Sequence, residues 1–204
     1  MLKSTLDQLS VNFRAGLEKD LGRFIDHLLL FNRRINLVSR KLTREDLEQH
    51  ILSSIAPVVL GLPETADLLD IGSGGGFPAI PLLIAQPDWR GVLVEATGKK
   101  CLFLRDALET LAPGRGEVLN ERYEESSLGG RRFNIVTVRA VRMEPKLARR
   151  IASNLAPNGY AIIYAPLEES VHPAIVEDLR TAGLREVRVE RVEIAKTTLI
   201  VARA

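Results

Sequence analysis

Residues 66–78 read Ala-Asp-Leu-Leu-Asp-Ile-Gly-Ser-Gly-Gly-Gly-Phe-Pro, an apolar run that leads into a glycine-rich segment. The run predicts a buried strand that ends near Asp70. Glycines let the backbone turn tightly and approach a ligand with no side chain in between. Pro78 has a fixed backbone angle that suits the first turn of a helix. A strand, a glycine loop and a helix in this order are how doubly wound folds bind nucleotides.

Three kinds of binding site compete with a plain structural turn for this glycine segment. A dinucleotide site needs Gly-x-Gly-x-x-Gly, which fails from Gly72 because Phe77 stands sixth, and fits from Gly74 only with Ala79 as its last residue. A phosphate-binding P-loop needs a Lys-Ser or Lys-Thr pair, which does not follow here. The Asp-x-Gly-x-Gly-x-Gly form of residues 70–76 resembles the first motif of the S-adenosylmethionine methyltransferases. A glycine turn without a ligand stays open as well, because such a loop alone is weak evidence.

A second candidate residue, Glu95, closes the next apolar run, Val92-Leu93-Val94, and lies 25 residues after Asp70. A carboxylate at the end of the second strand accepts hydrogen bonds from ribose hydroxyls in nucleotide-binding folds. Alone, Glu95 would be read as a surface residue, but in register with the glycine loop it indicates a nucleoside cofactor. It suits the ribose of a nicotinamide cofactor equally, so it supports the fold more than the reaction.

The region after Pro63 alternates short apolar runs with helical patterns. The predicted strands are 66–71, 91–96, 116–119, 133–138, 160–165, 184–191 and 197–202, and the predicted helices lie near 78–85, 99–111, 144–155 and 170–182. This alternation predicts an α/β, Rossmann-like fold: a seven-stranded, mostly parallel sheet with helices on both faces. The last strand is expected to be antiparallel, because no helix separates the final two strands.

The first 63 residues read as a helical extension packed on the core. Apolar residues recur at steps of three and four between residues 17 and 29. Thr43 and Asp46 resemble a capping box and predict a second helix from about 44 to 60. We therefore divide the chain into an extension, 1–63, and a cofactor-binding domain, 64–204, which together form one structural domain.

Composition predicts a soluble, cytoplasmic protein. The chain has 204 residues, 46% of them hydrophobic and 26% charged, with a net charge of +2. It carries no run long enough for a membrane span, and its one cysteine, Cys101, excludes an intrachain disulfide. No His, Cys, Asp or Glu cluster has metal-ligand spacing, so we expect no metal. Basic clusters within 33–44 and 139–150 indicate either contacts with a phosphate backbone or a solvated surface.

Several further segments match one known family. They are Phe-Asn-Arg-Arg-Ile-Asn-Leu-Val-Ser at 31–39, His-Ile-Leu-Ser-Ser-Ile at 50–55, the tail Phe-Pro-Ala-Ile-Pro at 77–81, Gly-Lys-Lys at 98–100 followed by Phe103-Leu104, and Arg-Ala-Val at 139–141. Through these segments the chain resembles, from about residue 31 to 164, the bacterial 16S ribosomal RNA guanine-N7 methyltransferases. This family is also called the glucose-inhibited division protein B family.

The resemblance implies S-adenosyl-L-methionine as cofactor and 16S ribosomal RNA, free or in the small ribosomal subunit, as substrate of a monomeric enzyme. The cofactor-binding residues it implies are Gly72, Gly74, Phe77, Glu95, Tyr123, Glu124 and Arg139. Gly72 and Phe77 would line the methionine end, and Glu95 would hold the ribose. Tyr123 and Glu124 would flank the adenine through backbone groups. The plain alternatives are an ordinary core or surface aromatic for Tyr123, a solvated acid for Glu124 and a surface ion pair for Arg139.

Four departures from the family pattern fall in the substrate half. The family usually has Asp where Ser53 stands, Ser where Val138 stands, Lys-Gly in place of Ala165-Pro166, and Arg near Thr197-Thr198. They leave open a relative that methylates a small molecule or a protein, and a degenerate domain that only binds RNA or protein. A nicotinamide oxidoreductase is a more distant alternative.

The end of the fourth predicted strand reads Thr137-Val138-Arg139-Ala140-Val141 and lacks the Asn/Asp-Pro-Pro-aromatic motif of enzymes that methylate exocyclic amines. Guanine N7 already carries a lone pair, so its methylation needs no general base. We expect Arg139 to act in catalysis by positioning, for instance as a donor to guanine O6. His50 would face the substrate or serve as an ordinary packing residue.

Overall fold

The structure, a computed structural model, describes residues 2–9, 11, 13–165 and 169–204. Its strands are β1 (Ala66–Ile71), β2 (Trp89–Val94), β3 (Gly116–Leu119), β4 (Phe133–Arg139), β5 (Leu155–Tyr164), β6 (Arg185–Val192) and β7 (Thr197–Arg203). They form a seven-stranded sheet in the order β3-β2-β1-β4-β5-β7-β6. Strands β1 to β5 pair in parallel, and β7 lies antiparallel between β5 and β6. The sheet confirms the predicted fold class.

Helices cover the sheet and precede it. They are α1 (Leu2–Gln8), α2 (Leu17–Asn32), α3 (Arg44–Ile55), α4 (Ala79–Ala85), α5 (Gly98–Leu111), α6 (Pro145–Asn154) and α7 (His172–Thr181). The predicted capping box at the start of α3 is confirmed, because the Thr43 hydroxyl accepts from the Asp46 N–H and the Asp46 carboxylate accepts from the Thr43 N–H. Within the described ranges, no helix combines the length and apolar character needed to cross a membrane.

The amino-terminal helices pack on the same apolar core as the sheet. Helix α2 buries Leu21, Phe24, Ile25 and Leu28, which recur at the three- and four-residue steps seen in the sequence. These side chains join a core cluster that also contains residues of α3, α4 and β1. The Phe24 ring meets the Phe77 ring edge-on, with centroids 5.2 Å apart. Helix α2 therefore packs directly against the glycine loop. The division of the chain at residue 63 stays a prediction.

The register of the central strands positions the candidate site. Ile71, the last residue of β1, is paired with Val94 at the end of β2 and with Val138 near the end of β4. The segments that follow these three strands therefore leave the sheet side by side. The glycine loop, Glu95 and Arg139 come together at this edge, as expected for the carboxyl ends of parallel strands.

The predicted end of one helix was wrong. Helix α3 ends at Ile55 instead of continuing to residue 60, and a 3-10 helix, Ala56–Leu60, follows it. Pro57 has no backbone N–H and crowds the preceding turn, so the α-helix stops before it. The helix predicted near 144–155 is confirmed as α6, and it ends at Asn154 because Leu155 already pairs with Phe133 as the first residue of β5.

Strand β5 begins five residues before its predicted start because the sequence between Leu155 and Tyr160 forms a bulge. Leu155 pairs with Phe133, and the next pair joins Tyr160 to Ile135. Asn158 has a positive φ of 61°, and a Cβ on Gly159 would lie 2.9 Å from the Ala156 carbonyl oxygen. Turn residues inside a strand hide it from a pattern of alternating polarity.

Candidate functional site

The glycine loop, residues 72–78, is tied to β2 by backbone hydrogen bonds. The N–H groups of Gly72 and Ser73 donate to the Val94 carbonyl oxygen at 2.9 and 3.1 Å. Gly72, Gly74 and Gly76 have φ values of 73°, 53° and 86°. Residues with a Cβ atom rarely adopt this left-handed backbone region, so the tight turn requires glycine at these positions.

The loop has no room for side chains on its inner side and an open face at Gly74. A Cβ on Gly72 would lie 2.7 Å from Val141 Cγ2, and one on Gly75 would lie 3.2 Å from the Leu37 carbonyl oxygen. A Cβ on Gly74 would meet only the loop's own Gly72 oxygen, at 3.7 Å. The backbone at Gly74 is therefore accessible to a ligand at close range, as the methyltransferase interpretation requires.

Glu95 is 7% exposed and fixes the loop from the end of β2. Its Oε2 accepts from the Gly74 N–H at 2.9 Å, and its Oε1 accepts from the Thr97 N–H at 2.8 Å. The Asn120 side-chain amide donates to the Glu95 carbonyl oxygen at 3.1 Å. A carboxylate has about four lone-pair sites, so two stay available for the hydroxyls of a ribose.

Asp70 is fully buried beneath the loop. Its Oδ1 accepts from the Thr137 hydroxyl at 2.6 Å, and its backbone oxygen accepts from the Ser73 hydroxyl at 3.3 Å. Its Oδ2 is buried and has no hydrogen-bond partner among the residues that the structure describes. Burial raises the pKa of the carboxyl from 3.8 to about 6. An anion held at this cost suits a ligand that carries positive charge.

We expect Asp70→Asn to stabilise the folded chain at pH 7.5. Because the pKa is raised on folding, the native state binds more protons than the unfolded state between about pH 4 and 6, and wild-type stability falls as pH rises through that window. A neutral amide keeps the bond from Thr137 and removes the buried charge, which amounts to a gain on the order of 1–2 kcal/mol. Urea denaturation at pH 7.5 and pH 4 measures it. A variant no more stable than wild type at pH 7.5 would contradict it.

Arg139 reaches from the end of β4 to helix α3. Its Nη1 donates to the Ser54 hydroxyl at 3.0 Å and to the His50 carbonyl oxygen at 3.3 Å. Its Nη2 lies 2.7 Å from His50 Nδ1. These contacts occupy three of the five guanidinium N–H donors. Among the described residues, no carboxylate lies within ion-pair distance of it, and its polar partners there are His50 and Ser54.

Aromatic rings enclose the same guanidinium. Its central carbon lies 5.5 Å from the centroid of the Tyr164 ring and 5.9 Å from that of Phe77. The Tyr164 hydroxyl donates to the Ser54 carbonyl oxygen at 2.5 Å, which fixes the ring. Burial lowers the pKa of Arg139, but a guanidinium stays charged at neutral pH. The site thus contains a rigid, largely desolvated cation beside Phe77.

Tyr123 and Glu124 behave differently from the loop residues. The Tyr123 ring is buried in the second core cluster, its hydroxyl donates to Asn154 Oδ1 at 3.0 Å, and Arg150 lies 5.1 Å from its centroid. Glu124 is exposed. The side chain of Tyr123 therefore has the core role that the sequence left open, and an adenine contact through the backbone of both residues stays a prediction.

A cavity of about 1170 Å³ opens next to Arg139. Its walls come from α3, the ends of β4 and β5, helix α7 and the β6–β7 hairpin, and include His50 and Tyr164. Three of the four family departures, Ser53, Ala165 and Thr198, line it as well. Val138 is buried in β4, and Pro166 lies outside the described residues.

Two other features of the structure bear on ligand binding. A smaller cavity of about 430 Å³ lies at the opposite edge of the sheet, near Asp67 and Arg132, away from the glycine loop. Among the residues described, no three His, Cys, Asp or Glu side chains are grouped closely enough to hold a metal ion.

Sequence reasoning missed the network around Arg139 and the role of Asn120. The sequence indicates no partner for His50 and no role in the site for Ser54 or Tyr164. No local pattern marks them, since each acquires its role only when α3 and β5 pack against β4. The buried polar residues of α3, Ser53 and Ser54, were the available sign, because a helix rarely buries hydroxyls without partners.

Comparisons with known proteins agree with this geometry. The model of the family "rRNA small subunit methyltransferase G" matches residues 17–200. A "Ribosomal RNA small subunit methyltransferase G" of Laribacter hongkongensis is 36% identical over 160 residues, 78% of this chain and 75% of that protein. One of Sorangium cellulosum is 36% identical over 162 residues, 78% of this chain and 68% of that protein.

A solved structure supports the fold alone. A SAM-dependent methyltransferase from Aquifex aeolicus superposes with a TM-score of 0.61 at 17% identity, covering 76% of this chain and 92% of that one. The sheet order, the glycine loop with Glu95 and the family match all agree. The chain belongs to the rRNA small subunit methyltransferase G family.

Proposed function

We propose that this chain is an S-adenosyl-L-methionine-dependent methyltransferase that methylates N7 of a guanosine in 16S ribosomal RNA. The observation that carries the proposal is the meeting of the glycine loop, Glu95 and Arg139 at one sheet edge, beside a cavity of about 1170 Å³. Family membership supports methyl transfer and a ribosomal RNA target.

The residues around the glycine loop fit this cofactor. Gly72 and Phe77 would line its methionine end, the open backbone at Gly74 would approach it closely, and Glu95 would bind the ribose through its two remaining lone-pair sites. The unpartnered Oδ2 of Asp70 favours a ligand with positive charge. When bound, S-adenosyl-L-methionine supplies an electrophilic methyl group on a sulfonium.

The chain's own contribution to the reaction is positioning. Guanine N7 presents a lone pair on the major-groove edge of the base, so no residue has to remove a proton from it. Arg139 is held rigidly by His50 and Ser54, and its two remaining N–H donors suit guanine O6. Orientation of the base beside the cofactor would account for the rate.

Exposed basic residues next to the site would bind phosphates of the RNA. Arg33, Arg34, Arg40 and Lys41 are exposed on the segment after α2, which packs against the glycine loop. Two other members of the basic clusters are already engaged, Arg44 with Asp26 at 2.6 Å and Arg150 with Ser126 at 3.1 Å. Lys146 and Arg149 on α6 are exposed and extend the phosphate-binding surface to the second cluster.

Calorimetric titration with S-adenosyl-L-methionine, followed by transfer of labelled methyl to 16S ribosomal RNA from cells that lack the modification, tests the proposal. Binding with transfer to guanosine N7 supports it, and transfer should weaken steeply as salt rises, because phosphate contacts release counterions. Absence of cofactor binding would overturn it. Size-exclusion chromatography of the same preparation tests the predicted monomer.

A methyltransferase with a different target is the second candidate. The observation that favours it is the position of Ser53, Ala165 and Thr198, three departures from the family pattern, around one cavity. Ser53 donates to the Thr197 hydroxyl at 3.0 Å, so the departures are also coupled to each other. This alternative predicts that the protein binds the cofactor, transfers no methyl group to ribosomal RNA, and shows no salt-dependent binding of that RNA.

A further inference from the structure

His50 lies where the amino-terminal helices meet the candidate active site. It belongs to α3, lines the large cavity, and its ring centroid is 5.7 Å from that of Phe77. Its Nδ1 is 2.7 Å from Arg139 Nη2, across 89 residues of sequence. The contact links the extension directly to the end of β4.

The chemistry of this contact fixes the state of the ring. A guanidinium has donors and no acceptor, so at 2.7 Å His50 Nδ1 must be the unprotonated, accepting nitrogen. The ring is then neutral and carries its proton on Nε2. No hydrogen bond joins Nε2 to any residue in the described part of the chain. One donor of the ring thus stays unused beside the cavity.

We propose that His50 is a positioning residue for methyl transfer: its Nδ1 holds the Arg139 guanidinium at the end of β4, and its Nε2–H donates to O6 of the target guanine. The inference rests on the proposed function and assigns a second donor to the same site. With Arg139 and His50 side by side, two donors face the cavity, which suits the two lone pairs of guanine O6 and leaves N7, the atom that attacks the methyl group, without a donor.

Protonation of His50 would break its hydrogen bond with Arg139. An imidazolium has no acceptor, so the bond to Arg139 would be replaced by two adjacent cations. Burial first, and Arg139 second, lower the pKa of His50, while Asp46 on the same helix opposes this. Behind Arg139 lie Tyr164 on β5 and the buried Asp70 on β1. The neutral ring is therefore the form present at pH 7.5, and activity should fall as pH drops through the His50 pKa. Asp70, with a pKa of about 6, titrates in the same range in wild type and variants alike, so the share of His50 is the difference between wild type and His50→Asn.

Three substitutions separate the two roles of the ring. His50→Asn places an amide oxygen where Nδ1 stands and keeps the acceptor for Arg139. His50→Gln reaches the Nε2 position and loses that acceptor. His50→Phe keeps the shape and removes both polar groups. The matched control is His27→Gln, in a ring that packs against Phe31 and Phe103 on α2 and α5, away from the cavity.

The measurement is single-turnover methyl transfer to 16S ribosomal RNA at saturating cofactor, from pH 5.5 to 8.5, with cofactor affinity and melting temperature alongside. At pH 7.5 we expect His50→Phe to be at least about 100-fold slower than wild type, and His50→Asn about 10-fold faster than His50→Gln. The loss of transfer rate between pH 7.5 and pH 5.5 should be at least about threefold smaller in His50→Asn than in wild type. In His27→Gln this loss should equal that of wild type. Cofactor affinity should change less than about threefold.

Equal rates for the Asn and Gln variants, or an acid limb in His50→Asn identical to that of wild type, would overturn the inference even if the Phe variant fails to fold. The proposed function has its own test: it is overturned if the wild-type protein binds no cofactor or methylates no RNA. If wild type and the His50 variants are all fully active, only the role of His50 is overturned.

Discussion

Arg139→Ala is expected to slow methyl transfer at least about 100-fold at saturating cofactor. The substitution removes a cation that makes three hydrogen bonds to His50 and Ser54 and is enclosed by the rings of Phe77 and Tyr164. One charge-assisted hydrogen bond to a substrate accounts for about 10- to 100-fold, and the loss of order around His50 adds to it. Single-turnover transfer to 16S ribosomal RNA measures the effect.

Arg139→Lys tests whether charge or geometry matters. An ammonium keeps the charge but is a compact donor on a flexible chain, and it cannot bridge His50 and Ser54 in the plane of a guanidinium. We expect a loss of at least about 10-fold. Arg90→Ala is the matched control, since Arg90 is exposed near the amino end of β2, at the far edge of the sheet. Transfer by Arg139→Ala at the wild-type rate rules out the proposed role.

The cofactor side of this site could be predicted from sequence because strand order fixes it. Gly72, Glu95 and Arg139 each follow or close a strand, and β2, β1 and β4 are neighbours in the sheet. Once an apolar run, a glycine turn and an acidic strand end are recognised, their meeting at one edge follows from parallel topology. The local sequence motifs and the strand order thus predict the same position for these residues.

The substrate side could not be predicted in this way. The contact between His50 and Arg139 joins residues 89 positions apart, and it depends on which face of α3 meets the sheet. That face buries Ser53 and Ser54, so apolar spacing does not indicate it. Tyr123 shows how little the sequence says about one side chain: its ring packs in the core against Asn154, while the contact with adenine that the resemblance implies runs through its backbone and stays a prediction.

Glu95→Gln is expected to weaken S-adenosyl-L-methionine binding at least about 100-fold. The carboxylate now accepts from the Gly74 N–H on one oxygen and the Thr97 N–H on the other. A glutamine amide offers one acceptor oxygen and turns its NH₂ group against the second backbone N–H, so the loop loses a bond and the ribose loses an acceptor. Two charge-assisted bonds at about 1.5–3 kcal/mol each account for the size of the loss.

Calorimetric titration measures the affinity, with Glu109→Gln as control, because Glu109 is an exposed acid on α5. A dissociation constant within threefold of wild type would remove Glu95 from the cofactor site. Kinetics then separate Glu95 from Arg139. Glu95 is expected to bind the cofactor equally in the ground and transition states. Its replacement should therefore raise the KM for the cofactor and leave kcat intact, so excess cofactor should rescue Glu95→Gln. No cofactor concentration should rescue Arg139→Ala, because its role is to position the base at the moment of transfer.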